Sequence, residues 1–133
     1  MSFEACILVL AGGFIGGIAR FLLSGFVGRR IGETFPWGTF VVNVTGAFLI
    51  GAAAGLAQGA GGILSGEMVR DFLMVGLFGG YTTVSSFALQ SLSLAMGGQQ
   101  RQALFNIVAS ALLGVAAVGA GFAAAAAMMG QGQ

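Results

Sequence analysis

Four hydroxyl side chains, Thr82, Thr83, Ser85 and Ser86, follow the double glycine Gly79–Gly80 inside the apolar stretch GLFGGYTTVSSFAL, residues 76–89. Glycine weakens a helix, and the β-branched Thr82, Thr83 and Val84 lose rotamer freedom in one. The segment therefore predicts a break in a membrane-spanning helix. In lipid, interrupted backbone survives only where it is buried in protein or lines a cavity. A break frees carbonyl oxygens, and carbonyls at membrane depth coordinate cations. Beyond it, Ser85 and Ser86 offer hydroxyl donors, and Phe87 offers an electropositive ring edge. Such a set suits a small, strongly hydrated anion beside a buried cation. A second reading stays open: a glycine-kinked helix whose hydroxyls bond back to its own carbonyls.

Polar residues recur in other apolar runs. Arg20 is read either as a side chain that snorkels to the interface or as an intramembrane cation facing a water-filled cavity. Asn43 has Thr39 one turn earlier on the same helix face. Its amide serves either as glue between two helices or as a hydrogen-bond donor to an anion. Asn106 and Ser110 share a face four residues apart, with Gly114 continuing it. Polar groups on several helices favour a polar path over isolated glue.

The elements that must position these groups are membrane helices. A bilayer core of about 30 Å needs about 20 apolar residues as helix, and four windows qualify: residues 5–28, 37–59, 72–96 and 103–129. The chain is thus expected to be a single all-α transmembrane domain of four helices, the third broken near its middle. Short connectors make sequential helices antiparallel neighbours. Pro36 fits the first turn of the second helix. Ser65 is a candidate cap for the third, with Glu67 and Asp71 complementing its dipole. The glycine pairs Gly12/Gly16, Gly13/Gly17, Gly51/Gly55 and Gly76/Gly80 have the small-xxx-small spacing of close helix crossings. Four thin helices make a small bundle, so a pore is expected to need a homo-oligomer.

Composition excludes much else. Of 133 residues, 57% are hydrophobic and 7% charged, with a mean hydropathy of +0.98. A soluble domain carries about 25% charged residues. The net charge of +1 gives no case for nucleic acid as a partner. A single cysteine, Cys6, excludes an internal disulfide, and the absence of histidine removes the commonest general base and zinc ligand. An enzyme is not expected. The first apolar run lacks a basic leader and reads as a transmembrane helix that doubles as the insertion signal.

Three motifs in order carry a family resemblance: GGFIGGIARF, PWGTFVVNVTGAFLIG and GLFGGYTTVSSF. They resemble, respectively, the glycine-rich first helix ending in arginine, the G-T-x-x-V-N-x-x-G second helix and the G-G-x-T-T-F-S-T-F third-helix break of the Fluc (CrcB) family of small prokaryotic fluoride channels. The resemblance implies a fluoride-selective passive channel of the cytoplasmic membrane that lowers fluoride toxicity. It further implies an antiparallel dual-topology homodimer with two fluoride pathways. A central Na⁺ would be held by backbone carbonyls of Gly79 and Thr82. Asn43 matches the pore asparagine, Arg20 the vestibule arginine, and Ser85 and Ser86 the hydroxyl track. Ser110 matches a pore-lining serine, and Phe87 the second of two box phenylalanines.

Three positions of the anion pathway depart from the family pattern. Val84 stands where the first box phenylalanine is usual, Gln90 where many members have glutamate, and Asn106 where an aromatic is found. Topology also departs from balance. The connectors expected on one side carry Arg29, Arg30 and Arg101, and the opposite side carries Arg70. By the positive-inside rule this leans toward one orientation and opens the alternative of one subunit of a heteromeric pair. A small multidrug-type proton antiporter would need a membrane-embedded carboxylate, whereas Glu4, Glu33, Glu67 and Asp71 all fall at ends or connectors. A purely structural membrane protein accounts for the glycines but not for the break, Asn43 and the hydroxyls together.

Overall fold

The computed structural model describes residues 2–32, 34–60 and 66–130. Glu33 and the candidate cap Ser65 lie outside the described residues. Four helical stretches are long and apolar enough to cross a membrane: Phe3–Ile31, Trp37–Ala57, Met68–Met96 and Gln100–Met128. The chain is an all-helical, multi-pass membrane protein.

Helix α1, Phe3–Ile31, opens on Ser2, whose hydroxyl accepts the Ala5 N–H at 3.1 Å. It closes on Gly32, whose positive φ of 116° lets its N–H reach the Gly28 carbonyl. Glu4 in the first turn and Arg29 and Arg30 in the last complement the helix dipole. Helix α2, Trp37–Ala60, starts directly after Pro36, whose carbonyl takes the Phe40 N–H.

The third span is composite. It comprises α3 (Glu67–Arg70), a π-helical segment (Asp71–Phe78) and α4 (Gly79–Tyr81). Thr82 and Thr83 then adopt extended backbone, with ψ of 160° and 121°, before α5 (Val84–Met96). Wide π turns cluster at functional positions, and this segment runs directly into α4. A tight Gly97–Gly98 turn, with the Gln99 N–H on the Leu94 carbonyl at 2.8 Å, leads into α6 (Gln100–Gly130).

Two seams hold the bundle. In the first, α1 lies against the π-helical segment and α4. Any Cβ at Gly16 would run into the Leu77 carbonyl and the Tyr81 N–H, and one at Gly80 into the Gly13 carbonyl. In the second, Gly51 and Gly55 of α2 approach Val118, Phe122 and Ala125 of α6 at backbone distance, and Gly121 answers against Phe48. Close backbone approach gives dispersion contact where lipid removes the hydrophobic drive between helices. Gly17 has nothing within contact range among the described residues, so the Gly13/Gly17 pair forms no such crossing there.

The first and third connectors meet at one end. Phe35 packs on Trp37 and on Phe105 of α6, with ring centroids 4.7 and 5.4 Å apart. Aromatic rings at this level anchor the bundle at the membrane interface. Arg29, Arg30 and Arg101 therefore share an end, and Arg70 opens the third span at the other. The sides of the spans remain largely apolar and exposed, as Phe14 and Phe21 at 71% and 77% show. That surface faces lipid or another chain.

Candidate functional site

The extended residues at 82–83 are held by α2. Asn43 Nδ2 donates to the Thr83 carbonyl at 2.8 Å, and the Thr83 N–H donates to Asn43 Oδ1 at 2.7 Å. One carboxamide thus substitutes for both hydrogen bonds that the Thr83 peptide groups would make in a continuous helix. Asparagine supplies a donor and an acceptor in one plane, and an unpaired peptide group in lipid costs several kcal/mol. The second Nδ2 hydrogen has no acceptor among the described residues. Sequence reasoning offered Asn43 as anion donor or helix glue and missed this pairing, because its partner is a backbone group forty positions away.

Thr83 also caps α5. Its Oγ1 accepts the Ser86 N–H at 3.1 Å and lies 3.2 Å from the Ser85 hydroxyl. Thr82 Oγ1 donates to the Phe78 carbonyl at 3.1 Å, which closes α4. Tyr81 OH lies 2.9 Å from Thr45 Oγ1 on α2, and Thr45 donates to the Val41 carbonyl at 2.7 Å. Tyr81 is therefore the donor in that pair. We expect Thr83→Ala to weaken the start of α5 by about 1 kcal/mol, read as faster amide exchange at Ser86, with Thr83→Ser close to wild type.

A cavity of about 360 Å³ opens beside this clamp, lined by Asn43, Thr82, Thr83, Val84, Phe87 and Ser110 among others. Residues singled out from the sequence converge there: Asn43, Thr82, Thr83, Val84, Phe87, Ser110 and Gly114. Val84 is 80% exposed and forms the outer lip. Ser85 and Ser86 line neither this cavity nor the one below. Ser85 is exposed with its hydroxyl on Thr83, and the Ser86 N–H serves the cap.

A second cavity of about 640 Å³ lies at the end where the first and third connectors meet, lined by Arg29, Thr39, Gln90, Ser93 and the Phe35–Trp37 corner. Gln90 Oε1 is buried without a hydrogen-bond partner among the described residues. The two cavities share walls. Thr39 and Asn43 are one turn apart on α2, and Gln90 and Phe87 are one turn apart on α5, so the same two helices wall both spaces. Arg29 was not singled out as an anion contact from the sequence. In the sequence it counted only among the connector arginines that bear on topology.

Besides Ser85 and Ser86, two more expected pathway residues sit elsewhere. Arg20 is half-buried on α1, lines neither cavity and forms no ion pair among the described residues. Asn106 is 2% exposed and lies behind the cavity wall, inside the α5–α6 interface, because its amide is taken up by two serines. Its Nδ2 donates to Ser91 Oγ at 2.8 Å, and its Oδ1 accepts from Ser110 Oγ at 3.3 Å.

No group of three or more acidic, histidine or cysteine side chains suited to a metal occurs among the described residues. A cation here would depend on backbone oxygen. In a continuous helix the Thr83 N–H would go to the Gly79 carbonyl; here it goes to Asn43, and Gly79 loses that donor. The extended ψ of Thr82 likewise turns its carbonyl out of the helical direction. These hard oxygens at membrane depth fit an alkali cation.

Comparison with known proteins places this geometry. The family model described as CrcB-like protein, Camphor Resistance (CrcB), matches residues 7–122. The chain belongs to the CrcB family. Within it, the fluoride-specific ion channel FluC 4 of Brucella abortus is 72% identical over 122 residues, covering 92% of each chain. FluC 3 of Brucella suis is 71% identical over the same share of each chain. The fluoride-specific ion channel FluC 2 of Bradyrhizobium diazoefficiens is 49% identical over 116 residues, 87% of this chain and 85% of that protein.

Proposed function

We propose that this CrcB-family chain is a fluoride-selective passive channel of the prokaryotic inner membrane. Fluoride enters cells as the neutral weak acid and is trapped as the anion at higher internal pH. A selective pore without energy coupling is enough to lower it. The observation that carries the reading is the pair of cavities with polar walls on the same two helices, Thr39 and Gln90 in one and Asn43 and Phe87 in the other.

In this reading Arg29 concentrates the anion at the end cavity, and Arg20 adds positive potential within the first span. The free hydrogen of Asn43, the Phe87 ring edge and the Ser110 hydroxyl replace water around it as it moves inward. Ser85 and Ser86, at the start of α5, continue the hydroxyl track toward a partner subunit. Val84 at the lip leaves one ring-edge contact fewer than a phenylalanine would give.

Sodium bound by the Gly79 and Thr82 carbonyls would supply a fixed positive charge near the pathway. Two carbonyls leave a cation short of ligands, and Gly79 and Val84 are exposed on one side of the protomer. A second, antiparallel copy contributing the same pair completes the set, which supports the dual-topology homodimer.

The grouping of Arg29, Arg30 and Arg101 at one end against Arg70 at the other favours a second reading, in which this chain is one half of a pair of oppositely oriented subunits. Growth separates the two. Expressed alone in a fluoride-sensitive bacterium lacking its own exporter, a homodimeric channel restores growth in fluoride. Half of a pair restores it only with a second, oppositely oriented subunit. Failure in both settings contradicts the channel reading.

A further inference from the structure

Ser91, Asn106 and Ser110 form a chain of two hydrogen bonds from the interior of the α5–α6 interface to the cavity wall. Ser91 and Asn106 are buried at 7% and 2%, and only Ser110 reaches the cavity. A buried amide between apolar helices is tolerated only where its donor and acceptor are met. With Nδ2 on Ser91 Oγ at 2.8 Å, the amide faces α5 with its nitrogen and lays Oδ1 along α6 toward Ser110. Ser110 must then be the donor, and its hydrogen is held away from the cavity. At 3.3 Å this is a long bond for two oxygens. A charged acceptor forms shorter bonds of roughly twice the strength.

We propose that Asn106 is a positioning residue for Ser110, an inference that rests on the channel reading above. Asn106 Oδ1 holds the Ser110 hydroxyl hydrogen while the cavity is empty and yields it, by rotation of the hydroxyl alone, to an entering fluoride. Ser91 belongs to the same device because it accepts the Asn106 Nδ2 hydrogen and so leaves Oδ1 to Ser110. Without Oδ1, the hydrogen goes to the helix carbonyl one turn back, the usual resting partner of a helical serine. The anion must then compete with a better-placed acceptor. Asn106 thus acts on the anion from behind the wall, without lining the path.

The test is fluoride efflux from liposomes, followed with a fluoride electrode, for wild type, Ser91→Ala, Asn106→Leu, Ser110→Ala and the double variants. Asn106→Leu and Ser91→Ala are each expected to slow efflux about tenfold, the scale of one hydrogen bond. The Ser91→Ala/Asn106→Leu double is expected to be no slower than Asn106→Leu. Combination with Ser110→Ala is expected to be no slower than Ser110→Ala alone. A purely structural role would instead make the losses multiply, which overturns the proposal, as does wild-type efflux from both single variants. Should Asn106→Leu fail to fold, Ser91→Ala with Ser110→Ala carries the same comparison. A wild-type chain that passes no fluoride overturns the channel reading itself and this inference with it, an outcome distinct from multiplying losses in a conducting protein.

Discussion

Asn43→Asp is expected to lower fluoride flux at least about a hundredfold, equivalent to roughly 2.7 kcal/mol on the barrier. The substitution acts twice. It removes the Nδ2 donor to the Thr83 carbonyl and sets carboxylate oxygen against carbonyl oxygen at the 2.8 Å contact. It also places a negative charge on the cavity wall where an anion must pass. The Thr83 N–H keeps its acceptor, so the variant should still fold and elute as wild type. Asn43→Leu differs. It leaves both Thr83 peptide groups unpaired at a cost of about 1–3 kcal/mol each, and should show accelerated amide exchange at Thr83 as well as lost flux. Normal flux in Asn43→Asp would remove Asn43 from the pathway.

The second large effect is expected at Gly16. A methyl group there meets the Leu77 carbonyl and the Tyr81 backbone nitrogen, rigid backbone atoms near the end of the π-helical segment and at the end of α4. Overpacking of this kind costs about 1–3 kcal/mol. Here the strain falls on the residues that lead into Thr82, so Gly16→Ala should lower the thermal unfolding temperature in detergent and also slow efflux. Gly119→Ala is the control. Nothing among the described residues lies within contact range of Gly119, and alanine at an open helix position is favourable by up to about 1 kcal/mol. Equal unfolding temperatures for Gly16→Ala and wild type would show that α1 does not clamp the third span as closely as the glycine seam requires.

The spans were legible because lipid demands long apolar helices and leaves little else to write. The extended backbone at Thr82 and Thr83 falls where two glycines meet three β-branched residues, a conflict with helix that local propensity exposes. The glycine pairs marked the two crossings, except Gly13/Gly17, since spacing cannot say which face of α1 meets protein. The π-helical segment had no signal. Residues 72–78 are an apolar run with no residue type that marks widened turns. The clamp on Thr83 was hidden for a related reason. Sequence shows which side chain has a donor and an acceptor but not which backbone group lacks them. Asn106 and Ser110 were correctly placed on one helix face, but whether that face looked into a cavity or into α5 depended on the rotation of α6, which a nearly uniform apolar helix does not reveal.

The most direct measurement is fluoride release from liposomes containing this chain alone, repeated with chloride in place of fluoride. The account predicts rapid release of fluoride and negligible release of chloride. Equal release of both ions, or none of either from well-folded protein in the presence and absence of a second, oppositely oriented subunit, would contradict it.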